Sequence, residues 1–483
     1  MVKFLIIGID GLEPTFVKRL IESGKSRGFS FFFESGLHVP LKSTFPPDTL
    51  LAWPSIYTGL LPYRFGLRPE PENPIVLRFE NLRIRKELIG KTFWDIASKY
   101  NRKVCIVNPI FAYPPWKVNG IMVSGPSFGL KGPTLSEPPR IDVYPYQIGT
   151  YGSTPLLPHE YHKAYSEAIE QSKEVFHLAH KLFNEDSYDL MFVADYTLDR
   201  IEHYYWRFSD PEDPLYSKFI NFFKNAIIDY YKYLDFILYM LLKKYSSEYI
   251  VIVLGDHGHA RRPIKLISVD KVLNPNSKNS YSPLDVLRHL GMLLIHYAGV
   301  DNILYWFIKR AQEKGLIGRI LLKEKEIHED SNSHLCRIKS VKEFGFKEYI
   351  GLKLEIREKI CYDFLLKVAK LLITKGLAEE YNMPIEYYEP RYSYVYPADL
   401  FVKLKEYGNL QTDKSFLLLH NFTRRIISGG HGLYSLFLIY EPNKKVRLKS
   451  STIRVQDIAP SVLHLMSLKG DHYFDGTDVI SYE

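Results

Sequence analysis

Lys3-Phe4-Leu5-Ile6-Ile7-Gly8-Ile9-Asp10-Gly11 is the segment whose reading decides the fold. Its run Lys3–Ile7 is short, dominated by Ile, Leu and Phe, and stops at Gly8-Ile9-Asp10-Gly11. A strand covered on both faces reads this way, because neither face needs polar residues. Four more runs share the pattern: Val104–Val107, Leu190–Ala194, Tyr249–Leu254 and Leu436–Tyr440. All five are expected to be parallel strands. Helical patterns separate them. Glu13–Ser23 comes after the first run, Tyr161–Phe183 precedes the third, and Pro214–Lys243 precedes the fourth. Strands alternating with helices predict an α/β fold, a mostly parallel sheet with helices on both faces.

Composition narrows the class. A chain of 483 residues is long for one compact domain, so two units are expected. With 46% hydrophobic and 24% charged residues it is a folded globular chain. Its three cysteines, Cys105, Cys336 and Cys361, include no Cys-x-x-Cys pair, which argues against a disulfide scaffold and a thiolate zinc site. The first apolar run is too short for a signal peptide, and no uncharged run is long enough to span a bilayer. A soluble, cytoplasmic protein without a membrane span is the expectation. The formal net charge of +8 suits a small anionic substrate. It is spread without a dense Lys/Arg block, so no nucleic acid duplex is expected as a partner. Thirty-six tyrosines make any single tyrosine a weak marker of a site.

From about Arg262 to Thr423 the pattern changes. A loop signal, Lys271-Val272-Leu273-Asn274-Pro275-Asn276-Ser277-Lys278-Asn279-Ser280, is followed by amphipathic helical patterns over Leu284–Glu313 and Glu355–Leu377. An aromatic-rich polar segment, Tyr387–Tyr396, comes next. The apolar part Gly291–Trp306 is interrupted by His296 and Asp301, so it reads as a packing helix rather than a membrane-lying one. The expected organisation is a core of residues 1–262 and 424–483 with an inserted, mainly helical cap of residues 263–423. The insert leaves after Asp256-His257 and returns before His431. It is therefore expected over the carboxyl edge of the sheet, with Tyr392 and Tyr394 as candidate contacts for a leaving group.

Open parallel sheets place ligands beyond the carboxyl ends of their strands. The residues just past each strand therefore carry the functional signal. The first run ends at Asp10. The third leads into Asp195-Tyr196-Thr197-Leu198-Asp199-Arg200-Ile201-Glu202-His203, and the fourth into Gly255-Asp256-His257-Gly258-His259. Ser428-Gly429-Gly430-His431-Gly432 precedes the last. Asp and His without Cys are the donor set expected for Zn²⁺ or a similar divalent ion. Each piece also has a plain structural reading. Asp10 could cap a helix, Asp199 and His203 could be a helix-surface pair, and His431 could be a loop residue. Their coincidence in four places favours a metal site. A further segment, Pro46-Pro47-Asp48-Thr49, marks a helix start. It puts Thr49 in the first turn, where the backbone stabilises negative charge. A hydroxyl there can be deprotonated by a metal and attack phosphorus; the alternative is that Asp48 or Thr49 only caps the helix.

Several segments together resemble the alkaline phosphatase superfamily, most closely its type I phosphodiesterase/nucleotide pyrophosphatase family in archaeal and bacterial forms. They are Ile7-Gly8-Ile9-Asp10-Gly11, Asp199-Arg200-Ile201-Glu202-His203, Gly255-Asp256-His257-Gly258 and Gly430-His431-Gly432. A fifth is Pro46-Pro47-x-Thr49-x-x-Ala52-Trp53-x-Ser55-x-x-Thr58-Gly59. Asp457-Ile458-Ala459-Pro460-Ser461-Val462-Leu463 and Asp475-Gly476 match the family's closing helix and tail. The resemblance covers about residues 1–260 and 425–483.

The resemblance implies two divalent metal ions, with zinc as first choice. One would be held by Asp10, Asp256 and His257 together with Thr49, the other by Asp199, His203 and His431. It further implies hydrolysis of a phosphodiester or nucleotide pyrophosphate through a phosphothreonine at Thr49. Two positions depart from the family. Ala52 stands where nucleotide pyrophosphatases commonly carry Asn, and Thr44-Phe45-Pro46 mimics a nucleophile segment. Thr49 is preferred because Thr58 lies nine residues beyond it, the family spacing. The absence of Cys-x-Pro-x-Arg disfavours a sulfatase. The rival readings are a phosphomonoesterase or phosphoglycerate-mutase-like phosphotransferase with the same metals, and a catalytically idle metal-binding protein. The sequence carries no signal for oligomeric state.

Overall fold

The computed structural model describes residues 2–65, 82–127, 130–150, 152–155, 159–213, 216, 221–262, 336, 338–344, 349–354, 358–376, 378–383, 398–404, 427–450, 452–468 and 472–482. The chain divides into two compact units. One comprises Met1–Ser153, Ala164–Ala260 and His431–Glu483, the other Thr154–Lys163 and Arg261–Gly430.

The first unit is built on β1 (Lys3–Ile9), β2 (Leu37–Lys42), β3 (Val104–Val107), β4 (Gly120–Ser124), β5 (Leu135–Glu137), β6 (Leu190–Asp195) and β7 (Tyr249–Leu254). Beyond these come β8 (Gly258–Arg261), and, after the second unit's strands β9 to β12, β13 (Gly429–Gly432), β14 (Tyr434–Tyr440), β15 (Val446–Leu448), β16 (Ile453–Arg454) and β17 (Ile480–Tyr482). Nine strands form the central sheet in the order β16-β2-β14-β7-β1-β6-β3-β4-β5. β1 lies at its heart, parallel to β6 on one side and to β7 on the other. β3 and β4 extend the parallel block.

Among the described residues the helices include α1 (Pro14–Glu22), α2 (Gly28–Ser35), α3 (Thr49–Thr58), α4 (Phe93–Lys99), α5 (Glu160–Phe183), α6 (Thr197–Ser209) and α7 (Ala226–Tyr245), with α8 (Lys359–Thr374) in the second unit and α9 (Ile458–Leu465) near the end. One strand face is apolar because of α3, α4 and α9. Phe4 and Ile6 of β1, Leu190 and Phe192 of β6, and Ile250 and Ile252 of β7 share a buried cluster with Trp53, Trp94 and Val462. The alternate residues Leu5, Ile7, Met191, Val193, Val251 and Val253 point to the other face and are buried as well. Helices on both faces are thus the reason the strands read as unbroken apolar runs. Among the described residues, no helix is long and apolar enough to cross a membrane.

One strand runs against expectation. Leu436–Tyr440 is a strand, but β14 is antiparallel to β7, pairing Phe437 with Leu254, and antiparallel to β2 on its other side. Apolar periodicity reports burial and carries no direction. The reversal has a functional consequence, since the residues that precede an antiparallel strand lie at the same edge as those that come after its parallel neighbours. The helical pattern expected over Pro214–Lys243 is a helix over Ala226–Tyr245.

In the second unit, β9 (Ile338–Phe344), β10 (Tyr349–Leu354), β11 (Ala378–Asn382) and β12 (Leu400–Leu404) form an antiparallel sheet in the order β11-β12-β10-β9. Helix α8 (Lys359–Thr374) falls within the expected Glu355–Leu377 pattern and packs Leu365, Ala369 and Leu372 with Ile350, Leu352, Leu400 and Val402. The described part of the insert therefore carries strands beside its expected helix. A disulfide joins Cys336 to Cys361, while Cys105 is a buried free thiol. The patterns Leu284–Glu313 and Gly291–Trp306, and Tyr392 and Tyr394, lie outside the described residues.

Candidate metal centre

Four connections at the carboxyl edge of the parallel strands supply the side chains. Asp10 ends β1. Its successor Gly11 has φ +77°, and a Cβ there would lie 3.0 Å from the Cα of Asp199 and 3.1 Å from His259 Nδ1, so only glycine lets the two connections approach. From β6 the chain turns at Asp195 into α6, whose first turn carries Asp199 and whose second carries His203, on one face of the helix. Asp195 itself turns away, accepting from Ser172 Oγ at 3.1 Å and Thr197 Oγ1 at 2.8 Å, and from the Tyr230 hydroxyl. Asp256 and His257 come directly after β7. His431 lies in β13, ahead of antiparallel β14, which brings it to the same edge.

Thr49 begins α3. Asp48 is the N-cap, in extended conformation, and its carboxylate accepts from the Leu50 amide at 2.8 Å. The cap and the nucleophile candidate are therefore adjacent residues with separate tasks. The Thr49 hydroxyl lies 3.1 Å from His257 Nε2 and 3.4 Å from Asp10 Oδ1. Thr44 is placed differently, with its hydroxyl donated to the Pro46 carbonyl at 2.9 Å. Ala52 is fully buried in α3.

All seven residues singled out in the sequence, Asp10, Thr49, Asp199, His203, Asp256, His257 and His431, come together. His257 Nε2 is 3.6 Å from Asp10 Oδ1 and 3.4 Å from Asp256 Oδ2. Asp199 Oδ1 is 3.2 Å from His203 Nε2 and 3.5 Å from His431 Nε2, and those two nitrogens are 3.1 Å apart. Ligands ~2.0–2.2 Å from a tetrahedral ion stand roughly 3.3–3.5 Å from one another, which is the spacing found in both sets.

The ring orientations suit the same purpose. His257 Nδ1 lies 3.0 Å from the Gly258 carbonyl and His431 Nδ1 lies 3.1 Å from the Pro47 carbonyl. A carbonyl only accepts, so each Nδ1 carries the proton and each Nε2 presents a lone pair to the cluster. Trp53 Nε1 donates to Asp10 Oδ2 at 2.8 Å, fixing the other carboxylate oxygen. Asp199 Oδ1 and Asp256 Oδ2 are buried without a hydrogen bond. Acceptors converging on acceptors call for a cation.

The electrostatics carry the same demand. Burial, then the charges of Asp256 and Asp199, push Asp10 well above the carboxylate range. Burial and Asp199 push Asp256 up to about 8. Burial holds His257 well below the usual histidine value, whereas at His431 the Asp199 carboxylate overcomes burial and lifts it to about 9. Bound cations reverse this pattern by favouring ionised carboxylates and neutral imidazoles. The side chains of Asp199 and His203 keep 20% and 12% exposure, so their set is the open side of the cluster.

Among the described residues, three groups could hold an ion: Asp10 with Asp256 and His257, Asp199 with His203 and His431, and Asp199 with His257 and His259. Sequence reasoning gave His259 no role. Its signal was its position two residues beyond His257, which in an extended chain returns a side chain to the same side.

Comparison with known proteins decides the family. The family model described as type I phosphodiesterase / nucleotide pyrophosphatase matches residues 4–332. The chain belongs to the type I phosphodiesterase/nucleotide pyrophosphatase family. It is an enzyme of that hydrolase class, whose members depend on metal ions. No curated protein sequence matches this phosphodiesterase-family chain. Among solved structures, human ectonucleotide pyrophosphatase/phosphodiesterase 5 is similar at 13% identity, covering 98% of this chain and 97% of that one, with a TM-score of 0.47. The murine counterpart, an inactive variant in complex with AMP, is similar at 12% identity over 100% of both chains, also with a TM-score of 0.47. The family match spans Asp10 to His257 and ends before His431, so the late histidine is joined to the cluster by the geometry of β13 and β14.

Proposed function

We propose that this phosphodiesterase-family member cleaves a phosphodiester or nucleotide pyrophosphate by in-line attack of Thr49, through a phosphothreonine that water then hydrolyses. The observation that supports it most is the Thr49 hydroxyl at the head of α3, 3.1 Å from His257 Nε2 and 3.4 Å from Asp10 Oδ1. Those two atoms belong to the ligand set proposed for one ion, so the hydroxyl stands beside that ion's place; its proton passes to water, and the helix start favours the resulting negative charge. Thr49 Oγ1 forms a bond to phosphorus as the ester oxygen of the leaving group departs with the bonding electron pair. Water then attacks the threonine phosphate, and the oxygen that leaves is Oγ1, reprotonated to restore the hydroxyl.

Asp10, Asp256 and His257 would hold one divalent ion and Asp199, His203 and His431 the other, zinc being the ion we assign. The two ions would supply Lewis-acid stabilisation of the ionised hydroxyl and of the phosphoryl oxygens. With three carboxylates in the two sets, the arithmetic of +4 against −3 leaves about +1 to attract a phosphate oxygen. Ala52 offers no side-chain donor where many nucleotide pyrophosphatases have one, so phosphoryl oxygens would depend more on the backbone and the ions. The test is hydrolysis of bis-p-nitrophenyl phosphate against p-nitrophenyl phosphate by zinc-loaded protein. A clear preference for the diester is expected. Faster turnover of the monoester would favour the phosphomonoesterase reading, and no turnover with metal fully bound would favour an idle metal-binding protein.

A further inference from the structure

Beneath the open side of the cluster lies a second line of buried polar groups that the proposed chemistry does not use. His259 is 3% exposed and Glu202 fully buried. His259 Nδ1 stands 3.1 Å from Glu202 Oε2, and His259 Nε2 stands 3.4 Å from His203 Nδ1. The other Glu202 oxygen accepts from the Tyr231 hydroxyl at 3.1 Å, and the His259 amide donates to Glu13 Oε2 at 3.0 Å. The indole of Trp206 lies against the His259 ring at 6.2 Å between centroids, tilted by 26°. The imidazole is thus held at both ends and across its face.

We propose that His259 is a positioning residue for His203: its Nε2 accepts from His203 Nδ1, forming a short hydrogen-bonded chain that presents His203 Nε2 to the Asp199 set, with the Glu202 carboxyl group beside the His259 Nδ1. The inference rests on the two-ion reading above. A Glu202 oxygen stands 3.1 Å from His259 Nδ1, outside hydrogen-bond geometry, and its lone pairs favour the proton of the neutral ring on that nitrogen. His259 Nε2 is then an acceptor and takes the proton on His203 Nδ1. His203 Nε2 is left with its lone pair aimed at Asp199 Oδ1, 3.2 Å away, and His431 Nε2, 3.1 Å away. An acceptor behind a ligating imidazole fixes its tautomer and ring orientation; here that acceptor is a second imidazole, His259. The competing arrangement, His259 as a direct ligand beside Asp199, would use the 3.6 Å separation of His259 Nε2 from Asp199 Oδ1. It would leave His203 Nδ1 facing an occupied lone pair.

The experiment is chelator competition on the zinc-loaded full chain, with ion content measured directly, for wild type, His259→Ala and His259→Gln. The Gln amide oxygen falls near the place of Nε2 and can accept from His203. Expected is a 10–100-fold weaker hold on one of two ions in His259→Ala, with the other unchanged, and recovery to within a few-fold in His259→Gln. Two ions held as in wild type by His259→Ala would overturn the proposal, as would His259→Gln no better than His259→Ala. A third ion in wild type that His259→Ala alone loses would make His259 a ligand and equally overturn it. If His259→Ala does not fold, His259→Gln decides by the same readout. Fewer than two ions in wild type would instead bring down the two-ion reading, and the chain with it.

Discussion

At the scale of a single side chain the proposed reaction rests on Thr49, and its neighbours allow a sharp test. Thr49→Ala is expected to abolish turnover while leaving the fold and most metal binding intact, because the three ligands beside it come from other connections. Thr49→Ser retains the attacking oxygen and should keep measurable activity. Thr44→Ala is the control. Its hydroxyl is donated to Pro46, so activity near wild type is expected. Steady-state rates with metal content measured in parallel check all three. If Thr49 merely supported the helix, its replacement would cost about 1 kcal/mol in thermal stability and little rate. At this scale the sequence was informative, since all seven residues it singled out meet in one cluster. Of the residues it passed over, Trp53 and His259 hydrogen-bond to Asp10 and His203, and Glu202 lies beside His259. Trp53 looks like core and Glu202 like a helix-surface acid until the partners are known.

Elements place these side chains, and α3 packs tightly against β1. A Cβ on Gly8 would lie 2.5 Å from Trp53 Cη2 and 2.9 Å from Cζ3. The same indole donates to Asp10 at 2.8 Å. Gly8→Ala must therefore move a fully buried ring, at a cost of about 1–3 kcal/mol, and loosen the hold on Asp10. A lower melting temperature together with weaker ion retention in the Asp10 set is expected. Thermal melts and chelator titration measure the two effects, and a change in stability alone would show that Trp53 does not orient the carboxylate. The parallel core was legible because its strands are covered on both faces. β2 was not, since its residues alternate in exposure, and neither were the strands of the insert, where Glu355–Leu377 showed a helix but not its sheet. The direction of β14 was hidden because apolar periodicity is the same in either direction.

Across the molecule, the buried charges of the cluster couple stability to metal and to pH. Without bound ions Asp256 titrates at about 8 and His431 at about 9, both above their values in an unfolded chain. Between roughly pH 6.5 and 8 the native state then binds more protons than the unfolded state, so stability falls as pH rises. His257, held below 6.5 by burial, opposes this only near pH 6.5, where the unfolded imidazole is still partly protonated, and adds little slope toward pH 8. Thermal melts of chelator-treated protein should therefore drop in midpoint from pH 6.5 to 8. Zinc-loaded protein should not show that drop, and the gap between the two should widen with pH. A gap that is constant with pH would contradict the assignment of these groups to the ion sites. Replacing residues 263–423 by a short linker is a second test at this scale. It should alter the preference between diester and monoester more than the ion content, because every proposed ligand lies outside that segment.

The reversal of β14 also orders events in time. A chain made from its amino terminus delivers Asp10, Thr49, Asp199, His203, Asp256 and His257 before the ribosome has begun the insert, and His431 only after it. The proposed Asp199 set would therefore stay one ligand short until residues 263–423 have been made. A nascent or truncated chain can gather most of the cluster but cannot close it, so hydrolytic competence would arrive late, as the final strands join the sheet.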